Sequence, residues 1–278
     1  MAILTISREA GSEGSQIAAA IAEELGYDLL DKGKIIAKLK ADGVRWEEMA
    51  EDWDEHVPSF LEKHDWQYNG FVALTRSHIL NCALGGKAVI MGRGGNFLLE
   101  GVPNVLRVRI MVPLEIRLEC AANDQTFSVL SGLDAETGRK LLKQADAKSS
   151  NYIRSAFGKD WNDPLLYDIV FNMQYLSNAE IMDAIKLLLA QKDKTAMKDS
   201  KCKDLLARRA LAAKINAAIA TNPSFMIPTL EVLNVGETIV VKGVVMNEKQ
   251  HVSIEEEARK VAGSEPIKFE LRHRHHSH

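Results

Sequence analysis

An apolar run, a turn rich in glycine and serine and an alanine-rich stretch follow one another at the start of the chain. Ile3–Ile6 is predicted as a buried strand and Gly14–Leu25 as a helix. A strand that leads through a glycine turn into a helix directs backbone N–H groups and the positive end of the helix dipole toward one point, which favours an anion such as phosphate. A tight turn that needs only the positive φ of glycine is the alternative. The predicted phosphate-binding residues are Gly11, Ser12, Glu13, Gly14, Ser15 and Gln16.

The same turn departs from a P-loop. In the pattern G-x-x-x-x-G-K-[ST], the lysine neutralises the phosphates and the hydroxyl holds Mg²⁺. Gly14 stands where we expect the lysine, and we assign Gln16 to the place of the hydroxyl residue. The turn is therefore predicted to bind phosphate without two groups that support phosphoryl transfer. Arg8, at the mouth of the turn, could supply the missing positive charge.

Strand and helix patterns alternate as far as about residue 192. Short apolar runs predict further strands at Ala88–Met91, Val105–Met111 and Ile169–Asn172. The predicted helices between and after them are Lys32–Lys40, Phe71–Leu84, Leu114–Ala122, Asp134–Phe157 and Asn178–Gln191, the last with a capping box at Ser177 and Glu180. This alternation predicts an α/β fold, an open and mostly parallel sheet flanked by helices.

Charge, hydropathy and cysteine content exclude several classes of protein. The formal net charge of −3 provides no basic field that would attract nucleic acid. No apolar run reaches the roughly 18 residues of a transmembrane helix. Cys82, Cys120 and Cys202 are too dispersed for a disulfide or zinc framework. We expect a cytoplasmic protein with no nucleic-acid partner, no transmembrane segment and no metal site.

The composition changes near residue 193. A lysine-rich stretch is predicted as a linker over residues 193–204, and a second, small domain follows over residues 205–272. Its predicted elements form an α-β-β-α-β unit: Leu205–Ala220, Thr229–Val235, Thr238–Met246, His251–Ala262 and Ile267–Arg274. Residues 273–278 contain four histidines and are predicted as a solvated tail.

Several sequence blocks in a fixed order carry a resemblance to a known family. These blocks are Ile6–Glu9 with Gly11–Gly14, Tyr27–Lys32, Val89–Gly94, Leu106–Ile110 with Pro113–Arg117, and Gly158–Asp168. On them, residues 1–192 resemble the cytidylate kinase-like proteins, a branch of the P-loop nucleoside monophosphate kinases. On Val232–Val245 and Ala258–Gly263, the second domain resembles a BON domain, a small module of bacterial proteins that binds ligands, lipid surfaces or proteins.

The resemblance implies ATP and Mg²⁺ at residues 11–16, and a nucleoside monophosphate between residues 27–32 and the loop at Gly92. It implies substrate-binding roles for Asp31 and Arg93; Asp31 equally suits the N-cap of the helix that begins at Lys32. Gly94 stands where such kinases carry the acid of a Gly-Arg-Asp triplet. The resemblance assigns catalytic roles to Arg93, Arg117 and Arg154, and the position at the mouth of the turn assigns one to Arg8. The alternatives are a surface arginine at Arg93 and solvated helix charges at Arg117 and Arg154.

Two functions stay open at this point. One is ATP-dependent phosphoryl transfer to a nucleoside monophosphate. The other is nucleotide or phosphate sensing without catalysis, with a protein or ligand partner on the BON-like module. The tryptophan-containing segment Arg45–Trp66 is either a helix pair that forms a homodimer, which we favour, or an insertion over the acceptor site.

Overall fold

The computed structural model describes residues 1–52, 65–123, 133–198 and 201–273. These residues form two compact units. The first contains residues 1–36, 51–52, 85–123, 133–198 and 201–202, and the second contains residues 37–50, 65–84 and 203–273. Most of the segment Arg45–Trp66 and nearly all of the histidine-rich tail lie outside the described residues.

A parallel five-stranded sheet forms the centre of the first unit, with strand order β2-β3-β1-β4-β5. Its strands are β1 (Ile3–Arg8), β2 (Asp28–Leu30), β3 (Ala88–Met91), β4 (Val105–Met111) and β5 (Ile169–Asn172). The α/β fold predicted from the alternation is confirmed. The pattern does not predict β2, because this three-residue edge strand begins with the exposed Asp28 and has little apolar signal.

The helices are α1 (Gly14–Leu25), α2 (Lys32–Asp42), α3 (Val44–Asp52), α4 (Trp66–Gly85), α5 (Gly95–Leu98), α6 (Leu114–Asn123), α7 (Ala135–Phe157), α8 (Asn178–Lys198), α9 (Lys201–Ala220) and α10 (Glu248–Ala262). The capping box of α8 is confirmed, since the Ser177 N–H donates to Glu180 Oε2 at 2.9 Å and the Glu180 N–H to Ser177 Oγ at 3.3 Å. Helices α8 and α9 occupy residues 193–198 and 201–204 of the predicted linker.

The core of the first unit lies between α1, α8 and the sheet. Ile17 and Ile21 of α1 and Ile181 and Ile185 of α8 are buried against strand residues such as Ile6. Because both faces of β1 and β4 are covered, these strands are buried along almost their whole length. The packed core holds the carboxyl ends of β1, β3 and β4 at one edge of the sheet, where the predicted phosphate-binding turn lies.

The second unit contains a separate sheet of β6 (Glu231–Val235), β7 (Thr238–Val245) and β8 (Ile267–His273), in that order. Strands β6 and β7 form the predicted antiparallel hairpin, and β8 lies parallel to β7 after the crossover through α10. The α-β-β-α-β order is therefore confirmed. The likeness to a BON domain and the domain boundaries stay predictions. Residues 37–50 and 65–84 belong to this second unit, although they lie in the chain between strands of the five-stranded sheet.

No helix in the described part of the chain is both long and apolar enough to cross a membrane.

Candidate functional site

The turn between β1 and α1 has the backbone of an anion-binding loop. Gly11 has a φ of 75°, and Glu13, the N-cap of α1, has a φ of 53°. The Glu13 side chain makes no capping hydrogen bond to the helix. The first N–H groups of a helix have no intrahelical partners, so a helix without a side-chain cap can present them to an anion.

A buried hydroxyl in this turn lacks a partner. Ser12 is 2% exposed, and its Oγ makes no hydrogen bond to the residues that the structure describes. Buried polar groups are nearly always hydrogen-bonded to protein, water or ligand. The Ser12 hydroxyl is therefore a group that a bound water or anion can satisfy.

Arg8 connects this turn to the loop that follows β3. A Cβ placed on Gly14 would lie 2.8 Å from the Arg8 Cβ, and a Cβ placed on Gly92 would lie 3.2 Å from the Arg8 Nη1. Arg8 therefore passes beside the start of α1 and ends at the loop of Gly92. Arg8 is the last residue of β1, and Arg93 lies just after β3. Because these strands are parallel neighbours, both arginines lie at the same edge of the sheet.

The space beside Gly14 also explains the missing lysine. A residue with a Cβ at position 14 would collide with the stem of Arg8. Counting the P-loop pattern from Gly14, its two glycines fall at Arg8 and Glu13, and its hydroxyl residue falls at Ser15. The assignment of Gln16 to the hydroxyl position is thus corrected: Ser15 directly follows the lysine position and lies half-buried in the first turn of α1.

The loop after β3 is held in an unusual conformation. Gly92, Arg93 and Gly94 all have positive φ, of 70°, 53° and 73°. A left-handed arginine is uncommon and marks local strain of the kind found at binding sites. A Cβ on Gly94 would lie 2.2 Å from Phe157 Cε2 on α7. The aromatic ring therefore occupies the space that the acid of a Gly-Arg-Asp triplet would need.

Arg117 lies behind the turn. It is 6% exposed, and its Nη1 donates to the Ala10 carbonyl at 3.1 Å and to Asp146 Oδ2 at 2.6 Å. The other oxygen of Asp146 accepts the Ala10 N–H at 3.0 Å. Arg117 and Asp146 thus hold both backbone groups of Ala10 and fix the turn from inside. Asp146 belongs to no sequence motif and reaches the turn only through the fold.

Arg109, in the middle of β4, lies in the block Leu106–Ile110 that carries the family resemblance, but the resemblance assigns it no role. It is 1% exposed, stacks over Trp161 with 3.9 Å between its Cζ and the ring centroid, and lies 3.8 Å from Glu9. The Trp161 Nε1–H in turn donates to Ser7 Oγ at 2.8 Å. This network joins the block Gly158–Asp168 to the end of β1. A charged residue inside an apolar strand is the sequence signal that could have revealed it.

Asp31 and Arg154 lie at other edges of the same region. Asp31 follows β2 and accepts the Lys34 N–H at 2.8 Å, so it caps α2. Arg154 is exposed in the last turn of α7, the turn that also places Phe157 against Gly94. The structure therefore brings Arg8 to the loop of Arg93 and places Arg117 inside the protein.

A cavity of about 380 Å³ opens beside the turn. Glu13 borders it and accepts a hydrogen bond from Asn178 Nδ2 at 3.1 Å. Burial, followed by the nearby Glu13 carboxylate, raises the pKa of the Cys120 thiol, which keeps it neutral. The cavity is lined by both apolar and polar side chains. The lining residues are Ser12, Glu13, Val112, Ile116, Cys120, Met173, Leu176, Ser177, Asn178 and Ala179.

Residues 3–175 match the model of the cytidylate kinase-like family. No curated protein matches the chain. Among solved structures, an uncharacterized protein from Eubacterium ventriosum ATCC 27560 is 20% identical with a TM-score of 0.52, over 68% of this chain and 99% of that chain. Shikimate kinase from Bacteroides thetaiotaomicron is 14% identical with a TM-score of 0.42, over 69% of this chain and 98% of that chain.

Proposed function

Because the chain belongs to the cytidylate kinase-like family, we propose that it binds a nucleotide and transfers a phosphoryl group from ATP to a nucleoside monophosphate. The observation that carries this proposal is the path of Arg8, which runs from the start of α1 to the loop of Gly92. One guanidinium thus lies between a candidate donor site and a candidate acceptor site. Phosphoryl transfer depends on such positioning and charge neutralisation.

In this proposal the turn of residues 11–16 binds the ATP phosphates through backbone N–H groups and the Ser12 hydroxyl. The base enters the cavity lined by Ile116 and Met173. Arg93 holds the phosphate of the acceptor, with Asp31 and Arg154 at the edges of the acceptor site. Arg117 acts as a positioning residue, since its guanidinium is committed to the backbone of the turn.

The reaction forms one bond and breaks one. An oxygen of the acceptor phosphate attacks the γ-phosphorus of ATP, the bond from that phosphorus to the β–γ bridging oxygen breaks, and ADP leaves with the electron pair. Arg8 neutralises the charge that spreads over the transferred group, in place of the lysine that Gly14 excludes. In phosphoryl-transfer enzymes, an arginine in this role can raise the rate constant by several orders of magnitude.

Mg²⁺ would find one suitable side chain in the turn. Glu9 Oε2 accepts a hydrogen bond from the Val112 N–H at 3.0 Å, and the Glu9 carboxylate lies 3.8 Å from both Arg109 and Arg117. Glu13 accepts a hydrogen bond from Asn178 Nδ2. These carboxylates are already engaged, so Ser15 is the residue that would hold the ion, with the remaining ligands from phosphate and water. When bound, Mg²⁺ supplies charge neutralisation at the phosphates.

The second candidate function is nucleotide sensing without catalysis, in which the second unit contacts a protein or ligand partner. Gly14 favours it, because a P-loop without its lysine loses a charge-assisted contact to the reacting phosphate. The two functions share the nucleotide site and differ in turnover.

A coupled assay of ADP release with a panel of nucleoside monophosphates separates the two. The kinase proposal predicts turnover with at least one of them and a large loss in Arg8→Ala and Arg93→Ala. Arg139→Ala is the matched control, because Arg139 forms an exposed ion pair with Glu115 on α6. No turnover with any monophosphate would reject the kinase.

Calorimetry with ATP tests the nucleotide site independently. Gly11→Val places a branched side chain on a residue with a φ of 75° and should abolish binding. Binding that is lost in this variant, without turnover in the parent, would support sensing. Binding that persists in Gly11→Val would place the nucleotide elsewhere.

A further inference from the structure

Three potential metal ligands meet in the second unit, where α10 begins and β8 ends. Glu248 and His251 lie in the first turn of α10, and His273 is the last residue of β8. One ligand atom from each lies within 4.8 Å of the others. Two separations are shorter: His251 Nδ1 to His273 Nε2 is 3.2 Å, and His273 Nε2 to Glu248 Oε2 is 3.3 Å.

These separations match those between ligands of one tetrahedral ion. Zn²⁺ binds imidazole nitrogen and carboxylate oxygen at about 2.0–2.1 Å, so two of its tetrahedral ligands lie about 3.3–3.4 Å apart. Two unmetallated imidazoles could share one proton at the same distance. The contact between His251 and His273 is therefore compatible with a metal or with a hydrogen bond, and an ion can bind there only if the facing nitrogen of His251 carries a lone pair.

A carboxylate on the far side of His251 meets this condition. Glu255 Oε1 lies 3.3 Å from His251 Nε2, and Glu255 Oε2 lies 3.6 Å from Arg259 Nη2. A carboxylate on one ring nitrogen holds the proton there and leaves the lone pair of the other nitrogen directed at the ion, as is usual for histidine ligands. Here the nitrogen left with its lone pair is Nδ1, the atom that faces His273.

We propose that Glu248, His251 and His273 bind a divalent transition-metal ion, Zn²⁺ in the first instance, with Glu255 as the positioning residue. Two imidazoles and one carboxylate select such an ion over Mg²⁺ and Ca²⁺, which prefer oxygen ligands alone. The Glu248 side chain is 77% exposed, so water completes the coordination. The bound ion joins the start of α10 to the end of β8 and stabilises the second unit.

Titration calorimetry with ZnCl₂ tests the site on the full chain. His275, His276 and His278 are replaced by serine in every sample, so that imidazoles of the tail do not contribute. We expect one Zn²⁺ per chain and no comparable binding of Mg²⁺. His251→Gln and His273→Gln should each weaken Zn²⁺ binding at least tenfold, and Glu255→Gln about 10–100-fold, the usual range for a carboxylate behind a ligand.

Glu256→Gln is the matched control, since it removes the same charge from an exposed position of the same helix and should leave Zn²⁺ binding unchanged. Circular dichroism verifies that each variant is folded, and Zn²⁺ should raise the melting temperature of the parent and the control only. Absence of Zn²⁺ binding in the parent, or equal binding in the ligand variants and the control, overturns the proposal. A loss of stability in His251→Gln that is the same with and without Zn²⁺ would assign the cluster to hydrogen bonding alone.

Discussion

Gly94→Ala tests why the loop after β3 has no side chain at this position. The residue has a φ of 73°, and an added Cβ would lie 2.2 Å from Cε2 and 2.4 Å from Cζ of Phe157. The left-handed backbone should cost about 1–2 kcal/mol for a residue with a Cβ. Displacing the Phe157 ring, which packs against Phe97 with 5.2 Å between ring centroids, should cost about 1–3 kcal/mol more. We expect the free energy of unfolding to fall by about 2–5 kcal/mol.

Urea denaturation followed by circular dichroism measures this change, and two further variants separate its parts. Gly158→Ala is the control, because Gly158 has a φ of 65° but nothing within 4 Å of its added Cβ, so only the backbone contribution applies. In a Phe157→Ala background, Gly94→Ala should cost no more than this control. If Gly94→Ala and Gly158→Ala cost the same in the parent, or if Phe157→Ala leaves the effect of Gly94→Ala unchanged, the steric explanation is wrong.

Three further predictions concern the turn and the sheet edge. Gly14→Lys introduces the lysine of the P-loop pattern and should lower the free energy of unfolding by about 1–3 kcal/mol, because its Cβ collides with Arg8. Adding Arg8→Gly to the same chain should recover most of that loss, and urea denaturation measures both changes. Asp146→Ala should destabilise by about 3 kcal/mol, since it removes the carboxylate that lies 2.6 Å from the buried Arg117 and leaves this arginine with Glu9 at 3.8 Å; a change below about 1 kcal/mol would contradict this role of Asp146. Burial opposes ionisation of Asp168, but hydrogen bonds from Arg107 outweigh it and lower the pKa of Asp168. Its stabilisation is thus present above pH of about 4 and lost as the pH falls through the folded-state pKa, so Asp168→Asn should flatten the fall in melting temperature in that acid range.

The fold was largely predictable because its information is local. Strands covered on both faces appear in the sequence as mostly apolar runs, so β3 and β4 have the bounds that the pattern predicts. The edge strand β5 also has its predicted bounds, although it is half-exposed. The helix at Gly14–Leu25 was equally evident from its glycine turn. The four-residue α5 and the edge strand β2 were missed, since each is too short for a periodic signal and depends on its neighbours for stability.

The site was predictable only in part. The sequence by itself determined the phosphate-binding turn as a candidate and the arginines at the ends of β1 and β3, because turn residues and strand ends are adjacent in the chain. Tertiary structure alone decided which arginine faces which group. Arg117 is turned to the Ala10 backbone by Asp146, a residue of the distant helix α7. Hydrogen bonds of this kind join residues far apart in sequence and leave no pattern along it.

Side-chain packing decided the remaining questions. Gly14 and Gly94 stand where the P-loop pattern predicts a lysine and the Gly-Arg-Asp triplet an acid, and the fold shows that Arg8 and Phe157 lie where a Cβ at these positions would be. His251 and His273 likewise come within 3.2 Å only because the crossover through α10 returns the chain alongside β7. Composition and local propensity depend on residues that are close in the chain. The space beside a glycine, or a set of metal ligands, is formed by elements that only the completed fold brings together.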